Sequence, residues 1–125
     1  MKHAVVQYLL VGVAGALGAM TRLGISQLFA RTAFPIGTLL INITGSFLLG
    51  WFLTYAGARL GISDHVRIAI AVGFIGAYTT FSTFTYESMR MIEDGTFGRA
   101  LLYIGSSLLL GLLAVSVGIL VGRHT

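Results

Sequence analysis

Between Gly73 and Glu87 the chain reads Gly-Phe-Ile-Gly-Ala-Tyr-Thr-Thr-Phe-Ser-Thr-Phe-Thr-Tyr-Glu, and Thr79, Thr80, Ser82, Thr83 and Thr85 crowd five aliphatic hydroxyls into it. A hydroxyl both donates and accepts, so such a run can replace the water around a small ion. Phe81 and Phe84 are three positions apart and share a side of the chain if it is helical there. Aromatic rings carry positive edges, and a ring turned edge-on favours an anion. The other reading of this pair is packing or lipid contact. Gly73 and Gly76 weaken a helix and the β-branched threonines after them weaken it further, which predicts a break. A break frees backbone carbonyls such as those of Gly76 and Thr79. Two breaks meeting across a dimer axis could then hold a small cation between their oxygens.

Polar residues elsewhere fall into register with this stretch. Thr38, Asn42 and Ser46 follow one another at four-residue spacing, so they lie on one helix face. The Asn42 amide either makes an interhelical hydrogen bond or offers its hydrogens to a passing anion. Tyr103 and Ser107 are likewise four apart, with Ser106 beside them. Their hydroxyls either bond back to the carbonyl one turn earlier or join Asn42, Thr80, Ser82 and Thr83 in a polar path. Arg22 either snorkels to the interface or gives a water-filled mouth a positive field.

Catalysis has no foothold. Ser82 has no histidine within its span to activate it, and no phosphate-binding glycine loop appears. His3, His65 and His124 lie at ends or in a joint, which argues against a metal site built on them. Glu87 is the one acidic residue expected at membrane depth. An exporter of organic cations driven by protons would depend on it.

The elements that must position these residues are apolar. Of 125 residues 56% are hydrophobic and 10% charged, and the mean hydropathy is +0.91; a soluble domain carries about 25% charged residues. Without cysteine, neither a disulfide framework nor a thiolate site is available. The formal charge is +4, but the basic residues are scattered singly, so no patch for nucleic acid forms. Four apolar blocks, at about 4–29, 36–60, 66–92 and 97–121, are each long enough to cross a bilayer, which takes roughly 20 residues. A first block followed by three more argues against a cleavable signal peptide. Joints of a few residues force neighbouring helices antiparallel, giving one four-helix domain over 1–125. In the first block Gly12 with Ala16, Ala14 with Gly18, and Gly15 with Ala19 form a small-residue face for close helix contact.

Lys2, Arg59, Arg67 and Arg123 fall on the side holding both termini, against Arg31, Arg90 and Arg99, with Arg22 nearer the latter. Positive charge on short loops sets orientation, and here the bias is almost nil. Either another factor fixes one topology, or the chain inserts both ways and an antiparallel homodimer becomes possible.

The stretch at 73–87, with Thr-Thr-Phe-Ser-Thr-Phe at 79–84, resembles the signature of the Fluc, or CrcB-type, fluoride channels of bacteria. Residues 37–50, Gly-Thr-Leu-Leu-Ile-Asn-Ile-Thr-Gly-Ser-Phe-Leu-Leu-Gly, resemble that family's second-helix motif, and Gly15 to Arg22 its first-helix pattern. The resemblance implies a multi-pass protein of the bacterial inner membrane that passively exports cytoplasmic fluoride and protects against its toxicity. It implies a dual-topology antiparallel homodimer with two fluoride pores and a central sodium ion. Phe81, Phe84 and Asn42 then match pore residues, Ser82 and Thr83 motif hydroxyls, and Tyr103 and Ser107 a polar track. Arg22 and Glu87 match vestibule residues, and Gly76 and Thr79 the carbonyl donors to sodium. One departure is visible: a hydroxyl that some members carry a turn after Ser107 is replaced by Gly111.

Overall fold

The computed structural model describes residues 1–125, the side chains at 57 and 58 excepted. Helix α1 spans Lys2–Leu28 and α2 spans Ile36–Arg59. The third crossing is built from pieces: α3 (Asp64–Ile68), a π-helical segment (Ala69–Ile75), α4 (Gly76–Tyr78) and α5 (Phe81–Glu93). Helix α6 (Phe97–His124) completes the chain. Lys2–Leu28, Ile36–Ala56, Asp64–Glu93 and Phe97–His124 are each long and apolar enough to cross a membrane. Arg59 donates to the Arg123 carbonyl at 3.2 Å, so the ends of α2 and α6 lie at the same end of the bundle.

Each joint is closed by local chemistry. After α1, the Thr32 hydroxyl lies 2.8 Å from the carbonyls of both Phe29 and Phe34, folding the chain toward Pro35. Ser63 caps α3 by accepting from the Val66 amide, and Asp64 sits in the first turn where the helix dipole favours a negative charge. Helix α5 ends in a Schellman turn. Gly95 takes φ 77, its amide bonds Ile92 and the Thr96 amide bonds Met91.

Helices approach closely where side chains vanish. A Cβ on Gly18 would fall onto the Phe74 carbonyl, and one on Gly118 onto the Phe47 carbonyl. Thus α1 packs on the π-helical segment and α2 on α6, each through small residues. Of the small-residue face on α1, Gly15 and Gly18 meet the third crossing while a Cβ on Gly12 would meet nothing within 4 Å. The apolar remainder turns outward: Leu101, Leu109 and Leu112 on α6 are 72%, 71% and 66% exposed, as befits a surface solvated by acyl chains.

The break does not fall at the glycines. Backbone stays helical through Gly73 and Gly76 to Tyr78; Thr79 (φ −82, ψ 157) and Thr80 (φ −150, ψ 110) are extended. Gly73 is there for packing, since a Cβ would lie 2.8 Å from the Val11 carbonyl oxygen on α1. The threonines make the break because β-branching suits extended backbone, and because Thr80 restarts the helix as its N-cap. Its hydroxyl accepts from the Thr83 amide at 3.2 Å.

Candidate ion-conducting site

The break is seated on α2. Asn42 grips the Thr80 peptide with both ends of its carboxamide: Nδ2 donates to the Thr80 carbonyl at 3.0 Å, and Oδ1 accepts from the Thr80 amide at 2.8 Å. The interhelical bond and the offer to an anion are therefore not exclusive, because a carboxamide carries two N–H donors and only one is committed. One turn of hydroxyl chemistry follows. Thr80 Oγ1 lies 3.0 Å from Thr83 Oγ1 and 3.3 Å from Ser82 Oγ. Thr79 differs, bonding back to the Ile75 carbonyl at 3.0 Å.

Beside the break runs an open groove of about 270 Å³ whose walls include Asn42, Ser46, Thr80, Phe81, Phe84 and Ser107. The two rings have different fates. Phe84 is 8% exposed and meets Tyr103 edge to face with centroids 5.2 Å apart, whereas Phe81 is 73% exposed. The Ser107 hydroxyl is buried and finds no partner among the described residues, while Ser106 and Ser116 bond back to the carbonyls of Leu102 and Leu112. A buried hydroxyl without a partner costs free energy, so something polar is expected to meet it. At Gly111, where the sequence drops a hydroxyl, Ser46 Oγ from α2 stands 3.9 Å from where a Cβ would be.

Thr80 also lines a neighbouring pocket of about 310 Å³ with Arg22, Ser26, Thr38 and Thr83. Thr38 and Thr83 in turn line a mouth of about 420 Å³ that opens past Glu87, Arg90 and Asp94. Three pockets that share lining residues thus succeed one another from the break toward one end of the bundle. Arg22 makes no ion pair among the described residues and gives the middle pocket a positive charge. Glu87 is held by hydroxyls: Thr38 donates to Oε1 at 2.9 Å and Tyr103 to Oε2 at 2.7 Å. Hydrogen bonds to a charged acceptor are the strong kind. They fix the carboxylate between α2 and α6, so that Tyr103 supports Glu87 and the Phe84 ring together.

Among the described residues no group of three or more His, Cys, Asp or Glu could hold a metal ion. The extended Thr79 leaves its carbonyl oxygen without a donor among the described residues, and Gly76 beside it is exposed. A cation at this place would be met by backbone oxygens.

The site residues converge from separate segments, which sequence spacing alone could not join. Thr44 and Tyr78 lay outside the spacing pattern, yet their hydroxyls meet at 2.8 Å against the break. Thr38 and Glu87, 49 residues apart, likewise meet directly.

The model of the family described as CrcB-like protein, Camphor Resistance (CrcB), matches residues 9–119. The fluoride-specific ion channel FluC of Acidobacterium capsulatum is 51% identical over 94% of this chain and 97% of its own. FluC 2 of Geobacillus kaustophilus is 46% identical over 89% and 88%, and FluC of Nitratidesulfovibrio vulgaris 40% over 91% and 94%. Relatives named as ion channels and four helices able to cross a membrane put this chain among multi-pass membrane proteins of a channel family rather than among enzymes. On a match covering nearly its whole length, the chain belongs to the CrcB family.

Proposed function

We propose that the protein is a fluoride-selective passive channel of the bacterial inner membrane, letting cytoplasmic fluoride out and so protecting the cell. The groove at the break carries this reading. At membrane depth it is lined by hydroxyls, an amide and the Phe81 and Phe84 rings, beside a buried Ser107 hydroxyl that has no partner among the described residues. Fluoride holds its water tightly, and a pore must return in donors what dehydration removes. Thr83 and Ser107 supply hydroxyl donors, with Thr80 and Ser82 behind them in a chain whose Thr80 hydrogen goes to Thr83, Asn42 supplies its uncommitted amide hydrogen, and Phe81 and Phe84 their rings. Arg22 draws the anion in through the middle pocket. Tyr103 and Glu87 hold the inner wall.

Undissociated hydrogen fluoride crosses lipid and ionises inside, trapping the anion. A negative-inside potential drives it out through a channel at about 2.3 kcal/mol per charge per 100 mV. No fuel is needed.

A second copy lying the opposite way up completes the pore, and the support for it is Phe81: a ring of the signature motif stands 73% exposed on the open side of the groove. The small bias in basic residues fits insertion in both directions. The same pairing would bring two breaks together, with Gly76 and Thr79 of each copy offering backbone carbonyls to one sodium ion. Bound there, sodium would supply a fixed positive charge that offsets the facing carbonyl dipoles.

In liposomes holding both anions, with the potential set by potassium, fluoride leaves and chloride stays. Equal loss of the two contradicts the reading.

A further inference from the structure

The residues on either side of Thr79 are held by α2, and the two grips differ in kind: one takes backbone, the other a side chain. On the far side, Asn42 takes the Thr80 amide and carbonyl. On the near side, Tyr78 is 6% exposed, and its hydroxyl reaches Thr44 Oγ1 at 2.8 Å. Thr44 Oγ1 also lies 2.7 Å from the Leu40 carbonyl. A threonine hydroxyl has one hydrogen, and that carbonyl can only accept. Tyr78 is therefore the donor and Thr44 the acceptor. The Tyr78 ring stacks on Phe74 with centroids 6.3 Å apart, and a Cβ on Gly45 would come within 3.3 Å of its Cδ1. The same Cβ would collide with Thr79 Cγ2, so α2 is bare where the extended residue rests.

We propose that α2 clamps the break from both flanks, Asn42 through the Thr80 peptide and Thr44 through the Tyr78 hydroxyl, making Thr44 and Tyr78 positioning residues for the Thr79 carbonyl. This rests on the reading of that carbonyl as a sodium donor. Thr79 is tied backward to the Ile75 carbonyl by its amide and hydroxyl, and a carbonyl that must face an ion gains from having the residues on both sides fixed as well.

The donor assignment ranks the variants. Tyr78→Phe deletes the donor and leaves Thr44 bonded to Leu40. Thr44→Val leaves the buried Tyr78 hydroxyl with nothing to donate to, which is the costlier lesion. Thr44→Ser keeps an acceptor. The test is fluoride efflux from liposomes as sodium is titrated against a bulky organic cation, for the full chain and these variants. Thr44→Val raises the sodium concentration for half-maximal flux by about threefold to tenfold, the range one such hydrogen bond sets. Tyr78→Phe raises it less, and Thr44→Ser restores it. The double variant matches Tyr78→Phe, because the orphaned hydroxyl is then gone. Loss of helix packing alone would lower flux at every sodium concentration without moving the midpoint.

Unmoved midpoints in Thr44→Val and Tyr78→Phe, with a sodium-dependent parent, overturn the clamp and leave the sodium reading standing. A parent that carries fluoride with no dependence on sodium overturns the sodium reading and the clamp together.

Discussion

At the scale of single residues, the two phenylalanines share a motif but not an environment. Phe84 is buried against Tyr103 at 5.2 Å, and Phe81 stands open on the groove. Ile has no positive ring edge to offer an anion, so Phe84→Ile is expected to slow fluoride flux by about tenfold, on the order of 1.4 kcal/mol. Phe81→Ile does the same with less effect on stability, because its ring has little packing within the chain. Flux and thermal unfolding in detergent, measured side by side, check both. Spacing grouped Thr38, Asn42 and Ser46 correctly as one α2 face, and the hydroxyl run was plain to read. Thr44 escaped because it lies two positions from Asn42, off that face, and only the fold brings Tyr78 to it. Nor could spacing pair Thr38 with Glu87, since nothing in the sequence fixes how α2 meets α5.

At the scale of elements, four apolar spans were legible because lipid imposes length and composition on each of them. The break in the third crossing was legible too, but its position was not. Glycine is a poor helix former in isolation, yet close packing against α1 keeps Gly73 helical, and a Cβ there would also lie 2.9 Å from Ala14 Cβ. The interruption passes instead to Thr79 and Thr80, where an N-cap makes extended backbone worthwhile. The glycines of α1 then separate by consequence. Gly18→Ala drives a Cβ into the Phe74 carbonyl and is expected to cost about 1–3 kcal/mol, as overpacking does. Gly12→Ala meets open space and is expected to be neutral or slightly stabilising. Thermal unfolding in detergent distinguishes the two, and equal losses would refute this account of the α1 contact.

For the whole molecule, the chain forms three cavities that share lining residues, and its groove is open along one side. The near-balance of basic residues is a property of the chain as a whole, which no single helix displays. The absence of cysteine makes the proposed dual orientation easy to examine. With Thr125→Cys as the sole thiol, an impermeant maleimide applied to sealed cells labels about half of the protein, the rest reacting only after lysis. Labelling that is all or none would fix a single orientation and remove the antiparallel pair.

The central claim is that the groove exchanges the water of one small anion for protein donors, and selectivity measures this most directly. With fluoride on one side of a planar bilayer and chloride on the other, the account predicts a large reversal potential set by fluoride alone, of the same size and opposite sign when the two solutions are exchanged. A reversal potential near zero, reporting equal passage of the two halides, would contradict it.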